Sequence, residues 1–458
     1  MTKSFEQTSL PNQSETSIGS TVPLIDPKDN STTRQKNHLI LLIVSFALVL
    51  SPISLSIYNP AIVDIREYFQ TTELIVDALT AVYTLFFGSA PLFWGSYSDT
   101  FGQRRKSYLI AITLSTFSSV VCLISPNIWL LMFARTLQAC GAAAMNCLGA
   151  GVISDVYELT GKGQAYGIYF LVYNFGEIGG PIIGGYLTEY FGWRYIFLFL
   201  SIFGVILFII IFFFLPETFN YHSTNIPQFS QEKTKIQFNP LSSFKLLSYP
   251  NISLIIIYIS SIWLMTFTNY IIIPKVFSSQ YHISTSNVGL MFLAPGIGFM
   301  IGSMIGGKYS DYIVSKFIAN TDEEIYPEVR LRSVWFCCIL VPITFLAYGW
   351  SLEMNIKIYW SLILIFIGSF GTLFTVNILS IYLVDSYQNN CASVIALSEC
   401  VPALTGGLFQ LILSPLQNSL GIGWMFTLLT AINLLCSLLL VIVYLRGKSW
   451  RIKYDTFN

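Results

Sequence analysis

Apolar residues in this chain come in long runs without alternation, separated by short polar stretches. Runs of roughly 18–25 apolar residues have the length at which an α-helix crosses a ~30 Å hydrocarbon core. Barrel strands would instead alternate in polarity. Twelve runs read as transmembrane helices: 38–58, 75–97, 107–125, 128–150, 164–187, 193–215, 251–272, 287–307, 333–351, 357–381, 391–413 and 422–445. An even number of crossings puts both termini on one side. The N-terminal stretch is rich in Ser, Thr, Asn, Gln and Pro with no apolar periodicity, so it is expected to be a disordered tail and not a cleavable signal peptide. The expected organisation is a tail at 1–37, a six-helix bundle at 38–215, a linker at 216–250, a second six-helix bundle at 251–445 and a tail at 446–458.

Composition agrees: 54% apolar and 10% charged residues leave too little polar surface for a soluble globule. Charge then sets the orientation. Nineteen of the 24 Lys and Arg fall in the tails and the loops that follow even-numbered spans. Arg66, Arg194, Lys275 and Lys357 lie on the other side, and Arg135 lies inside a span. By the positive-inside rule both termini are cytoplasmic. The eight cysteines sit in or near spans, where a small thiol packs well, and none is assigned to a disulfide or a metal. The chain has no phosphate-cradling Gly-x-x-x-x-Gly-Lys-Ser/Thr loop, and His38, His222 and His282 form no cluster, so neither an enzyme nor a cofactor is expected. Nothing points to nucleic acid. The partners expected are a small-molecule substrate, protons and the bilayer, with the chain a monomer.

Three motifs carry chemistry. The loop after the second span reads Gly95-Ser-Tyr-Ser-Asp99-Thr-Phe-Gly102-Gln-Arg104-Arg105-Lys106 and recurs in degraded form as Gly307-Lys-Tyr-Ser-Asp311. Gly95 is expected to let two helices approach closely, and Asp99 to pair with the cations as a latch. A plain cytoplasmic turn explains the charges but not the Gly-x-x-x-Asp spacing or its echo. In the fourth span, Arg135 lies inside an apolar helix, at a cost of at least ~2.5–3.5 kcal/mol unless it meets a polar cavity or a partner. Gln138 and Ala142 share its face. Snorkelling of Arg135 to an interface is the alternative. The fifth span holds Gly176, Glu177, Gly179, Gly180, Pro181, Gly184 and Gly185 within ten residues. In water that run would cost a helix roughly 1 kcal/mol per Gly and 3 for the Pro. In a bilayer it makes a thin helix that packs closely on a neighbour. Glu177 reads as a proton carrier, as a counter-ion to Arg135, or as a structural hydrogen-bonding group.

Together these motifs resemble the loop, fourth-span and fifth-span signatures of the major facilitator superfamily, and the Gly176–Gly185 pattern is similar to the antiporter signature of drug:H⁺ antiporters. Ile57-Tyr58-Asn59-Pro60, Gly192-Trp193-Arg194 and Leu215-Pro216-Glu217-Thr218 resemble the fungal twelve-spanner drug:H⁺ antiporters. Tyr382-Leu-Val-Asp385-Ser-Tyr387 and the segment ending Glu328-Val-Arg330-Leu331 look like the branch with quinidine-resistance, polyamine and spore-wall dityrosine exporters. One departure stands out. Where that branch leads one to expect an arginine-bearing Asn-Asn segment in the eleventh span, this chain has Glu399 and Pro402.

The resemblance implies an all-α membrane protein of twelve helices in two pseudo-symmetric bundles. They would rock about a central cavity and exchange protons for small organic compounds across the plasma membrane, with a vacuolar or spore membrane as alternatives. Arg135, Glu177 and Glu399 are the candidate proton-coupling residues. Gly95, Asp99, Arg104, Arg105 and Asp311 form the candidate latch, and Gly176, Gly180, Pro181, Gly184 and Gly185 the antiporter motif. Tyr58, Asn59, Gln138, Tyr173, Asn174, Asn269 and Asn377 are candidate substrate contacts, since aromatics and amides suit flat organic cations. An importer or vesicular loader of one metabolite, or a transporter-like sensor, would share the fold.

Overall fold

The structure is a computed structural model and describes residues 27–157, 159–219, 242–320, 326–387 and 391–455. Among these residues every regular element is a helix. The first span is interrupted: α1 (Pro27–Leu48), α2 (Leu50–Ser56), a 3-10 turn at Asn59–Ala61 and α3 (Ile62–Tyr68) follow one another. The tight turn falls where Pro60 stands at its start, a position at which the missing N–H costs no helical bond. Single helices follow: α4 (Glu73–Phe101), α5 (Arg104–Leu123), α6 (Ile128–Val156), α7 (Leu159–Phe191) and α8 (Arg194–Phe214). In the second half come α9 (Pro250–Ser279), the paired α10 (Thr285–Met291) and α11 (Leu293–Asn320), then α12 (Trp335–Glu353), α13 (Ile358–Ser386), α14 (Cys391–Leu420) and α15 (Ile422–Asp455).

These make the twelve expected spans, with two corrections at the ends. Helix α1 begins at Pro27, inside the expected 1–37 tail, and α15 runs on to Asp455 through the expected 446–458 tail. Extending an existing helix adds a hydrogen bond per residue fixed without a new nucleus, so polar flanks continue the spans. The remainder of the N-terminal tail and most of the 216–250 linker lie outside the described residues. Hydropathy alone picks out eleven of the twelve spans among the described residues and passes over α7. Its glycines, Asn174 and Glu177 dilute its apolarity, yet 33 residues give a helix ~50 Å long, ample for a crossing.

The division into halves is written in the packing. One apolar core draws on residues from Ile40 to Leu215, and two more draw on residues between Ile252 and Val443. Among the described residues no core crosses from one half to the other. The halves meet instead along α4 against α14 and α7 against α10. Close approach there rests on small residues: a Cβ at Gly88 of α4 would stand 2.1 Å from the Ala403 Cβ of α14. Large apolar side chains such as Phe213, Phe336 and Leu435 are exposed on the outside of the helices, as a lipid-facing surface requires.

Candidate functional site

A central cavity opens between the halves. The first half contributes Phe87 of α4, Asn146 of α6 and Tyr173 and Glu177 of α7, and the second contributes Trp263 of α9 and Glu399 of α14. Two of the three expected proton-coupling residues therefore share one space, one from each half, and no Lys or Arg among the described residues lines it. Tyr270 of α9 donates a hydrogen bond to the Glu177 carboxylate, a bond that crosses from half to half. Glu399 is exposed to the cavity, and none of the described side chains donates a hydrogen bond to it. Pro402, the other departure in α14, lines the same wall.

The third expected member, Arg135, is elsewhere. It is fully buried within the first half, which rules out snorkelling, and its Nη1 donates to the Ser54 carbonyl at 3.1 Å and to Gln138 Oε1 at 2.8 Å. Gln138 in turn donates to Ser119 Oγ at 2.6 Å. The guanidinium lies 3.9 Å from the Tyr83 ring centroid and 4.6 Å from that of Tyr58, so aromatic faces take the place of a carboxylate. Its Nε and Nη2 have no hydrogen-bond partner among the described residues. The expected Arg135–Glu177 pair is not formed, because Glu177 points into the cavity toward Tyr270 while Arg135 points into its own bundle. The two are linked indirectly: Tyr83 stacks on Phe87 at 5.9 Å, and Phe87 lines the cavity.

The other candidate contacts scatter. Tyr173 lines the cavity, but Tyr58 and Asn59 are buried near Arg135, Tyr58 bonding Thr80. Asn174, one residue beyond Tyr173, is absent from the cavity wall. Asn269 donates to the Met265 carbonyl at 3.0 Å beside a smaller recess lined by Tyr270. Asn377 donates to Ser303 Oγ at 2.7 Å and ties α13 to α11, a bond inside the second half. A polar residue inside a span satisfies its amide on the nearest helix when no water reaches it.

The loop motif builds a network at the end where α1 begins and α15 finishes. Gly102 ends α4 with φ +62°, a left-handed conformation that glycine adopts without strain. Arg104 then reaches Asp155 at 2.9 Å and Ser98 at 3.0 Å. The Glu217 carboxylate accepts from the backbone N–H groups of Arg104 and Arg105 at 2.8 and 3.2 Å, capping the start of α5. The Arg105 side chain donates to the Phe212 carbonyl. In the second half Arg330 repeats the pattern with Asp385 at 2.6 Å, Ser310 at 3.0 Å and Asp311 at 2.8 Å. Burial disfavours the charge on Arg330, but Asp311 and Asp385 more than offset it, holding the guanidinium above the ordinary arginine value. The side chain of Asp99 lies outside the described residues. Nothing in the spacing of Asp155 and Glu217 along the chain links them to Arg104; only the fold brings them to it. Gly95 is also corrected: a Cβ on it, as on its echo Gly307, would meet nothing within 4 Å among the described residues, so it mediates no close approach here.

The glycines of α7 do. A Cβ at Gly180 would fall 2.1 Å from Ser56 Oγ, and one at Gly184 would fall 1.8 Å from the Ile57 carbonyl oxygen, both on the first span. Gly176 meets Pro52 of α2 at 2.7 Å, Gly185 meets the Thr285 carbonyl of α10 at 2.7 Å, and Pro181 offers its carbonyl 2.4 Å from a Cβ at Gly289. The motif thus binds α7 to its own bundle on one face and to the other half on the next. Hypothetical Cβ contacts of this length mean that a larger residue would force its neighbour to shift.

A sequence model of the Major Facilitator Superfamily matches residues 44–398. The chain is 25% identical to the MFS antiporter QDR3 of Candida albicans, over 92% of this chain and 79% of that protein. It is 29% identical to Citrate exporter 1 of Aspergillus niger, over 93% of this chain and 88% of that protein. In three dimensions it is similar to the human organic anion transporter MFSD10, with a TM-score of 0.63 at 18% identity, over 88% of this chain and 99% of that one.

Proposed function

Because the chain belongs to the Major Facilitator Superfamily, we propose that it is a proton-coupled antiporter that exports small organic cations by alternating access. The observation that carries this reading is the pair Glu177 and Glu399, one from each half, lining one cavity with no cation beside them among the described residues. Two carboxylates in one confined space repel each other, and either a proton or a cationic substrate relieves the repulsion. Competition for the same two groups is the simplest coupling: a proton arriving releases the substrate, and a substrate arriving releases the proton. Tyr173, Phe87 and Trp263 offer ring faces for a flat or apolar cation. Citrate exporter 1 is named for an anion, and the charge of this cavity argues against an anion as the cargo here.

Arg135 acts at one remove, holding Tyr83 and through it the Phe87 wall. The Lys and Arg distribution supports cytoplasmic termini, and the plasma membrane is the location proposed. The energy suffices: exchange of one proton for one monovalent cation is electroneutral, so ~2 pH units sustain about two decades of substrate gradient, ~2.7 kcal/mol.

The test is substrate-driven proton flux, read from a pH-sensitive dye in liposomes challenged with quinidine-like cations, polyamines and carboxylate compounds. Cations are expected to move protons, and Glu177→Gln and Glu399→Gln each to lower that flux at least ~10-fold with the protein still folded. Undiminished flux in both variants would remove the two carboxylates from the mechanism, and flux with carboxylate compounds alone would reverse the charge assignment.

A further inference from the structure

At the end opposite the termini, the halves are joined by charges that the transport reading does not use. Lys275 of α9 lies 2.8 Å from Asp77 Oδ1 of α4 and donates to Ser414 Oγ of α14 at 2.7 Å. Ser414 Oγ in turn donates a hydrogen bond to Asp77 Oδ2, closing a ring of three residues from three helices and both halves. Burial increases inward. The Arg66 and Glu73 side chains, paired at 2.5 Å, are 36% and 34% exposed, Lys275, 3.8 Å from Glu73, is 10% exposed, and Asp77 is 0% exposed. The charges balance in sequence from rim to interior. Two lesser bonds cross the halves at the same end: Thr285 to Asp64 at 3.2 Å and the Ser286 N–H to Glu189 at 2.7 Å. At the termini end, the ion pairs among the described residues each stay within one half.

We infer that Asp77, Lys275 and Ser414 form a gate that holds the far end of the transport path shut, and that its parting is the step that opens this end. An ion pair suits the task better than an apolar plug. When closed, each charge is satisfied by the other and by the serine; when open, water hydrates both, so the two states stay near balance. The same physics fixes the sign of each substitution. Neutralising one partner leaves the other charged, buried and unpaired in the closed state, which then gives way to the hydrated open one. Neutralising both removes that penalty, and the helices stay together on the contacts around Gly88 and Gly185.

The experiment reads the separation of the halves and not transport, so it stands or falls separately from the antiporter proposal. Nitroxide labels on Glu67→Cys and Gln280→Cys, exposed positions at the far end on opposite halves, report the distance in lipid nanodiscs by pulsed electron resonance. The unaltered gate is expected to give mainly the short distance. Asp77→Asn and Lys275→Met, each alone, are expected to lower the ratio of short to long populations at least ~10-fold. The double variant Asp77→Asn/Lys275→Met returns the ratio to within ~3-fold of the starting protein. Ser414→Ala, which keeps both charges and carries little folding risk, shifts the ratio in the same direction by a smaller factor. Single variants with unchanged distances, or a double variant as open as the singles, would overturn the gate.

Discussion

At the scale of single residues, Arg135 shows how far a sequence reading reaches. Its position inside an apolar helix announced that it must have partners, since a buried guanidinium left bare is costly. Which partners it has was not legible, because Ser54, Tyr58 and Tyr83 come from other helices and a cation can be satisfied by ring faces as well as by a carboxylate. The consequence is testable. Arg135→Lys keeps the charge but loses the flat guanidinium that lies against the Tyr58 and Tyr83 rings, so it should retain no more than ~10% of the flux. Arg135→Met fills the same space without a charge and should leave thermal stability within ~2 kcal/mol of the parent while abolishing flux. Stability that collapses with flux in the methionine variant would make Arg135 a folding residue instead. Glu177 and Glu399 were both legible as candidate proton carriers, since an acid inside a span is a functional candidate by default. Tyr270 was not legible at all, one tyrosine among 26.

At the scale of elements, α7 is the informative case. Its glycine run predicted close packing, and the structure divides that packing between two neighbours: Gly184 faces Ile57 of its own bundle, and Gly185 faces Thr285 of the other. Adjacent glycines should therefore fail differently. Gly184→Ala forces a methyl into the backbone of the first span and should cost about 1–3 kcal/mol, seen as a lower melting temperature in detergent. Gly185→Ala presses on the interface that separates when the far end opens, so it should lower the closed population while melting near the parent temperature. Equal destabilisation by both would show that α7 meets a single rigid surface. The loop elements teach the complementary lesson. The basic triplet after α4 was visible, but its anchors Asp155 and Glu217 arrive from the ends of α6 and α8, and only folding brings those three ends together.

At the scale of the whole molecule, the halves have separate apolar cores and meet through small residues and a few polar bonds. Two chains cut within the 216–250 linker and expressed together should therefore reassemble, co-purify and recover a substantial part of the flux. Aggregation of either half, with no complex formed, would show that the cores depend on each other. The sequence by itself determined that the chain crosses a bilayer twelve times, that its two halves are related, and where the chemically exposed spans lie, because each of these follows from residue type and spacing along one helix at a time. The tertiary structure alone decided that Glu177 and Glu399 share a cavity while Arg135 does not. It alone decided that Lys275, which reads as a loop charge on the far side, is buried against Asp77. Periodicity fixes which face of a helix a residue occupies, but what that face meets depends on the rotation and tilt of helices far apart in the chain, and packing sets those.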